Sequence, residues 1–496
     1  MSEYIVGIDQ STQGTKALVF DSDGILIERS DCLHRQIVNE KGWVEHDPEE
    51  IYANTILAVK QAVKKAGINK KEIRGVGISN QRETSLAWDK KGRPIYNAIV
   101  WQCARAEDIC QRVSRKSVDG KSADEYIKET SGIPNSPYFP AAKISWLLKN
   151  VEGAMELADK GKICYGTIDS FLVYRLTKGM EYRTDYSNAS RTQLFSLKEL
   201  SWDKKLCDLF DVPMKNLPEI TDSNGFFGET DFEGWLDHPI PIHSVLGDSH
   251  GALFGQGCIR PGMVKATYGT GSSVMMNIGG YPIASKKGLI STIAWSMDGK
   301  VTYALEGNIN YTGAVITWLK DNLCLIKSPN ETSDMAKKAN PEDNCYLIPA
   351  FTGLGSPWWD SEARAQITNM SRTTGKNEII RAALDCTAYQ IADVIRAMEE
   401  DAGIQIHGLY TDGGATKNNY LMNFQSGILG MDVFVSDSEE LSGIGAAYAA
   451  GIGTGLYKND LADQNHHTLY SMNMGKEKQK MLLEGWGKAV HSVLNY

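Results

Sequence analysis

The sequence predicts an α/β protein of two domains packed around a central cleft. Strand-like runs alternate with longer helical patterns along almost the whole chain, the pattern of an α/β protein. At 496 residues the chain is too long for one hydrophobic core. The second half opens as the first does, with a strand, a polar turn and a second strand. No low-complexity linker separates the halves, so they are expected to pack closely around a cleft, the usual place for a small ligand.

Taken in order, "YIVGI" and "KALVF" predict a hairpin around the turn "DQSTQGT". The stretch "PEEIYANTILAVKQAVKKAG" (48–67) predicts a helix: Ile51, Ile56, Val59 and Val63 recur at helical spacing, Pro48 stands at its start and Gly67 at its end. "IRGVGIS" (73–79) predicts a strand. "PIPIHSVLGDSHGALFG" (239–255) holds the expected seam, with a helix from "HGALFG", which gives domains 1–246 and 247–496. "PGMVKATYGTGSSVMMNIG" (261–279) predicts strand, Gly-rich turn and strand. "IHGLYTDGGATKNNYLMNFQSGILG" (406–430) predicts a strand, an Asp-Gly-Gly turn and an amphipathic helix. The segment "LLEGWGKAVHSVLNY" predicts a short last helix.

Bulk properties exclude several classes. The chain is 42% apolar and 23% charged with net charge −9, and it has no basic block or basic–aromatic stripe, which argues against a nucleic-acid partner. An acidic protein that binds phosphates does so through backbone amides, Mg²⁺ and a few Lys or Arg. The nine cysteines are scattered and form no C-x-x-C pair, against a disulfide framework or zinc site and for a reducing compartment. No apolar run approaches the ~18 residues of a membrane span, and "MSEYIVGID" lacks a signal core. The expectation is a soluble, cytoplasmic protein.

Five stretches carry chemistry. In "YIVGIDQSTQGTKALVFD" an apolar run ends on Asp9 and turns through Ser11, Thr12, Gln13, Gly14 and Thr15. Asp9 either caps a plain hairpin, or belongs to a phosphate cradle in which it faces the metal. In "TYGTGSSV", Gly269 and Gly271 flank Thr270, as a tight hairpin or as a second phosphate turn. Two such turns facing one cleft would make a nucleotide site. "TDGGATKNN" leads from a strand into a helix. Its glycines suit an anion or nucleotide contact and Asn418 or Asn419 a ribose or base edge, unless Asp412 is only an N-cap. Asp248 in "VLGDSHGALFG" is either an N-cap or a carboxylate aimed into the cleft to take a hydroxyl proton. His250 suits that role less, because a cleft full of phosphate charge favours a positioned carboxylate. Arg82 and Glu83 in "ISNQRETSLAW" form either a surface ion pair or a donor–acceptor clamp on vicinal hydroxyls. Trp101 and Tyr138 belong to the core, or to the wall of a carbohydrate site.

Ten motifs in order, "GIDQSTQGT", "GWVEHDP", "GISNQRET", "NAIVWQ", "TDYSNASRT", "GDSHGALFGQ", "YGTGSS", "YALEG", "PAFTGLGSPWWD" and "DGGATKNN", run from about residue 4 to about 457. Together they resemble the FGGY carbohydrate kinases, nearest the glycerol kinase branch. The resemblance implies an actin/hexokinase-like ATPase fold, two duplicated ribonuclease H-like domains with ATP, Mg²⁺ and a polyol or sugar between them. It implies Asp248 as catalytic base and Asp9 as the Mg²⁺-associated aspartate. Thr12, Gln13, Gly269, Thr270 and Gly271 fall on the phosphate turns, and Gly313, Thr317, Gly414, Ala415 and Asn418 line the nucleotide. Arg82, Glu83, Trp101, Tyr138, Asp248, Ser249 and Ser273 fall where the acceptor is held. Assembly as a homodimer or homotetramer stays open.

This chain departs from glycerol kinases at several positions. They carry an aromatic two residues after their G-T-G, and here that position is Ser273. Their Asp-Gln-Gln is Asp248-Ser249-His250, their W-Q-x-R-R-T is Trp101-Gln102-Cys103-Ala104-Arg105-Ala106, and the first loop, with Gln13-Gly14-Thr15-Lys16, is closer to pentulose kinases. Losing an aromatic wall and an amide enlarges and wets the pocket, so the expected acceptor is a four- or five-carbon polyol or ketose, with glycerol as the alternative. "FEGWLDHPIP" replaces the Gly-rich loop through which some relatives bind a sugar bisphosphate, so that regulation is not carried over. Among rival classes, a chaperone-like ATPase would need a substrate-binding appendage and a non-catalytic sugar sensor would be expected to lose Asp248 or the phosphate turns. A NAD enzyme would need G-x-G-x-x-G after its first strand.

Overall fold

A computed structural model describes residues 3–458 and 466–494. The first half is built on a six-stranded sheet in the order Glu229–Thr230, Ile240–Gly247, Ile73–Asn80, Tyr4–Gln10, Gly14–Phe20, Leu26–Leu33. The second is built on seven strands in the order Ile290–Met297, Lys300–Ile309, Ser272–Gly279, Val264–Tyr268, Gly408–Asp412, Asp432–Ser436, His467–Tyr470.

The two sheets share a five-strand plan. Each has an antiparallel hairpin, Tyr4–Gln10 with Gly14–Phe20 and Val264–Tyr268 with Ser272–Gly279, extended by a third antiparallel strand. On its other side the leading strand pairs in parallel with Ile73–Asn80 or Gly408–Asp412, and that strand with Ile240–Gly247 or Asp432–Ser436. The repeat is one of topology, not of letters. Parallel central strands are covered on both faces. Val6 and Ile8 pack toward helix Pro48–Ala66, while Ile5 and Leu18 pack toward helix Leu441–Gly453.

The local signals explain the elements. Helix Pro48–Ala66 is capped by Asp47, whose carboxylate accepts from Glu49 N–H, and it ends at Gly67 with φ of 65°, where glycine alone adopts the left-handed turn without strain. The strand expected over 73–79 runs Ile73–Asn80, and the last helix is Lys476–His491; residues 495–496 of that predicted segment lie outside the described residues. Asp412 caps nothing. It closes strand Gly408–Asp412, and the following helix Asn419–Leu429 is capped by Asn418, which accepts from Leu421 N–H. Nor is Asp248 an N-cap: helix Asp248–Gly255 starts on it, with Gly247 at the cap position. All nine cysteines are free and eight are buried. Among the described residues no helix is long and apolar enough to cross a membrane.

In each half the fifth strand of the shared plan leads to a helix at the junction of the halves, Asp248–Gly255 directly and Leu441–Gly453 a few residues on. Those two helices pack on each other through glycines. A Cβ at Gly445 would lie 1.9 Å from the Gly251 carbonyl oxygen, and one at Gly255 2.3 Å from that of Leu441. Backbones this close fix the placement of Asp248 at the first turn of its helix. Gly445→Ala tests this, because helix propensity alone would stabilise by about 1 kcal/mol. The expected outcome in equilibrium urea unfolding is instead a loss of about 1–3 kcal/mol, since backbone must move apart.

Candidate active site

Arg82 links the halves. It follows strand Ile73–Asn80 in the first half, and its guanidinium donates from Nε to Asp248 Oδ1 at 3.0 Å and from Nη2 to Ser249 Oγ at 3.0 Å. Through Nη1 and Nη2 it also grips Glu306 at 3.1 and 2.9 Å. Glu306 sits within strand Lys300–Ile309 of the second half and is fully buried. Ser273 Oγ donates to it at 2.9 Å. Arg191, also fully buried, places Nη1 2.6 Å from Glu306 Oε2, a charge contact rather than an aligned hydrogen bond, and donates from Nε to Glu83 Oε1 at 2.7 Å. Desolvation opposes a charge on Glu306, but the two guanidiniums hold its carboxyl far below the usual carboxylate range. They are net favourable only because both cations are in place.

The surface ion pair Arg82–Glu83 that the sequence allowed does not form. Both side chains are buried, and each is tied to a different partner. Glu83 has φ of 60°, an uncommon backbone state for a non-glycine residue that clusters at functional positions.

The first hairpin turn meets this network. Gln81 N–H donates to Gln10 O at 2.6 Å, and Trp101 Nε1 donates to Thr12 Oγ1 at 3.0 Å. Trp101 and Tyr138, both half-buried, lie edge to face with ring centroids 5.5 Å apart. Asp9 is 7% exposed, and burial pushes its carboxyl up to about 7, Lys16 opposing and the Asp248 and Glu440 charges adding to the rise. Its Oδ1 is buried with no aligned donor among the described residues, the Ser79 hydroxyl beside the carboxyl giving partial relief. An orphaned buried carboxylate oxygen at a hydroxyl-rich turn fits a hard divalent cation. Gln13 at the tip of the turn is exposed.

The Gly269-Thr270-Gly271 turn is clipped to a helix start. Gly313 N–H donates to Gly269 O and Ala314 N–H to Thr270 O, both at 3.0 Å, and Thr312 Oγ1 donates to Gly269 O at 2.9 Å. No Cβ fits at Gly271, Gly313 or Gly413, each of which would lie within 2.4–2.6 Å of a carbonyl oxygen. Gly413 is also at φ of 99°. Gly414 opens to free space and Ala415 is half-buried beside it. These turns expose Gly269, Thr270 and Gly414, a backbone surface suited to phosphate oxygens. Thr317 is exposed on helix Gly313–Asp321. Asn418 differs from expectation: its Oδ1 caps its own helix and its Nδ2 donates to Thr332 Oγ1 at 2.9 Å, while Asn419 Oδ1 accepts from Tyr470, so both ends of the Asn418 amide and the oxygen of Asn419 are engaged within the protein.

Asp9, Arg82, Glu83, Trp101, Asp248, Ser249 and Ser273 therefore form one connected group, with Tyr138 against Trp101. A cavity of about 320 Å³ lies elsewhere, lined by Lys337, Arg381, Asp385, Tyr389, Tyr420 and Phe424 among others, and includes none of the predicted site residues. Sequence reasoning missed two residues that tie this network together, Arg191 and Glu306. Glu306 carried a signal, since a glutamate inside the apolar strand pattern "YALEG" demands a buried cation. Arg191 gave none.

Family comparisons agree with this geometry. The family model for the N-terminal domain of the FGGY family of carbohydrate kinases matches residues 4–255, and that for its C-terminal domain residues 264–454. The chain is 42% identical over its full length to a glycerol kinase of Alkaliphilus metalliredigens and 44% to one of Caldanaerobacter subterraneus, covering 99% of each. Among solved structures, glycerol kinase of Plasmodium falciparum with ADP superposes with a TM-score of 0.92 at 35% identity, covering 100% of this chain and 99% of that one. A xylulose kinase of Lactobacillus acidophilus superposes at 0.88 with 20% identity, covering 99% and 98%, which shows the shared fold. The chain belongs to the FGGY family of carbohydrate kinases, ATP-dependent phosphotransferases of the actin/hexokinase-like fold.

Proposed function

We propose that this kinase transfers the γ-phosphoryl group of ATP to a primary hydroxyl of glycerol, with Asp248 as general base. The observation that carries it is the Asp248 carboxylate, a third exposed and held by Arg82, in one group with the Asp9 turn. The acceptor hydroxyl gives its proton to Asp248 as its oxygen attacks the γ-phosphorus, and ADP leaves. Arg82 fixes the carboxylate and, with Glu83, the neighbouring hydroxyls. Trp101 and Tyr138 cover the carbon face. Residues 1–246 carry the acceptor and Mg²⁺–phosphate side, and 247–496 the nucleotide side. Asp9 would hold Mg²⁺, directly or through water, and the ion would neutralise triphosphate charge. Thr12, Gln13 and the Gly269–Gly271 turn face the phosphates. Gly313, Thr317, Gly414 and Ala415 border the nucleoside, with Asn418 shaping that border through its cap.

Full-length identity of 42–44% to proteins named glycerol kinase supports glycerol over the larger acceptor that the sequence favoured. One observation supports the larger acceptor. The Ser249 and Ser273 hydroxyls are both bonded into the Arg82–Glu306 network, so neither replaces the reach of a glutamine or the bulk of an aromatic ring. A three-carbon acceptor would then be held loosely.

Two measurements separate these. Across a panel from glycerol through erythritol and pentitols to ketopentoses, kcat/KM is expected to be highest for glycerol; a four- or five-carbon compound winning by a wide margin would transfer the assignment to the larger acceptor. Asp248→Asn is expected to keep ATP affinity while kcat falls about 10²-fold or more, the scale of losing a general base. Near-normal turnover would remove Asp248 from that role.

A further inference from the structure

Lys143 has no exposed surface, four residues into helix Pro140–Asn150, and burial pulls its ammonium down to about 7, the nearby Glu83 charge opposing. A positive charge at a helix N-terminus runs against the macrodipole, and a buried ammonium without compensation is costly. The compensation is specific. Its Nζ donates to Trp101 O at 3.1 Å and to Pro137 O at 2.7 Å, and it also donates to Tyr138 O. An ammonium has three N–H donors, so these three carbonyls account for all of them. The acceptors belong to two separate pieces of chain. Trp101 follows strand Ala98–Ile99, and Pro137 and Tyr138 precede helix Pro140–Asn150. Trp101 reaches on to Thr12 through its indole N–H, and its ring meets that of Tyr138.

We propose that Lys143 is a positioning residue for the acceptor: its ammonium pins the Trp101 and Tyr138 segments together and so sets the spacing of the aromatic pair that covers the carbon face. This rests on the kinase reading above, in which those two rings form the acceptor wall. A neutral side chain here would leave three carbonyls facing one another with no donor between them. The segments would part, and the rings with them. The nucleoside is bordered by second-half turns that Lys143 does not touch, and its one link to a phosphate turn runs indirectly through Trp101 to Thr12, so the effect should fall chiefly on the acceptor.

The test uses Lys143→Met, which keeps the stem and removes the donors, and Lys143→Gln, which keeps two N–H donors. Steady-state kinetics are run on the full chain with the best acceptor of the panel above and with ATP, each varied in turn. The expected result for Lys143→Met is an acceptor KM raised about tenfold or more with ATP KM changed less than about twofold, because misplacing a substrate-orienting group is felt by that substrate. Lys143→Gln is expected to fall between the wild type and Lys143→Met, and it serves alone if Lys143→Met does not fold. An unchanged acceptor KM in a folded variant overturns the proposal, and so does an equal rise in both KM values, the mark of a merely structural lysine. If the wild type phosphorylates nothing in the panel, the kinase reading fails and this inference with it. An active wild type with an unaffected variant removes Lys143 alone.

Discussion

The site depends on one buried carboxylate. Glu306 lies inside the second sheet with no exposure, yet it is ionised, because Arg82 and Arg191 reach it from the first half. Bringing an unpaired carboxylate into such a place is prohibitive, and taking away either guanidinium would leave a buried charge uncompensated. The halves are thus bound by a contact that tolerates little displacement. Arg82 is the shared member, so the geometry of Glu306 becomes the geometry of Asp248. The same carboxylate fixes Arg191, and Arg191 fixes Glu83. An interaction across the domain junction thereby orients both groups that face the acceptor hydroxyls in the proposed mechanism.

The backbone reinforces what the charges hold. Two topologically equivalent helices cross at the junction, and their approach is set by Gly251, Gly255 and Gly445 rather than by side-chain bulk. Gly77 has the same function against the sheet, where a Cβ would meet the Ala446 carbonyl at 2.0 Å. Side chains can adjust by changing rotamer, but touching backbones cannot. Asp248 begins one of these helices, so its position inherits that rigidity. Charge pairing and close packing act on the same residue from different directions.

Much of this was legible in the sequence, where the signals are local. The hairpins, the helix over 48–67 with its Asp47 and Gly67 ends, and the glycine turns follow from period, caps and backbone freedom. Asp9 and Asp248 were recognisable because an acid that ends an apolar strand needs a reason. Distant pairing was not legible. Arg82 and Glu83 are adjacent in sequence and suggest a pair, yet each prefers a buried partner of opposite charge more than 100 positions away. Asn418 sits at a helix start as expected of a nucleotide contact, but the nearest unsatisfied N–H, that of Leu421, claims its oxygen first. Lys143 is one polar residue in an apolar stretch that reads as an ordinary helix surface. Only the arrival of the Trp101 carbonyl from a distant segment, beside those of Pro137 and Tyr138, reveals the task proposed for it.

The acidity of the chain and the phosphate chemistry of its family are reconciled at Asp9. Lys16 is the strongest cation acting on that carboxyl, but Lys16 is already paired with Glu440 at 2.8 Å, and Glu440 is shared again with Arg29. Asp248 adds a second negative charge to the same neighbourhood. Lys16 is therefore not free to supply positive charge to a triphosphate, and burial pushes the Asp9 carboxyl up to about 7. A divalent ion resolves both problems at once. It would favour the ionised carboxylate and screen the phosphates from Asp248, leaving that carboxylate free to take a proton. The orphaned oxygen of Asp9 would then find in the ion the partner that the protein does not give it.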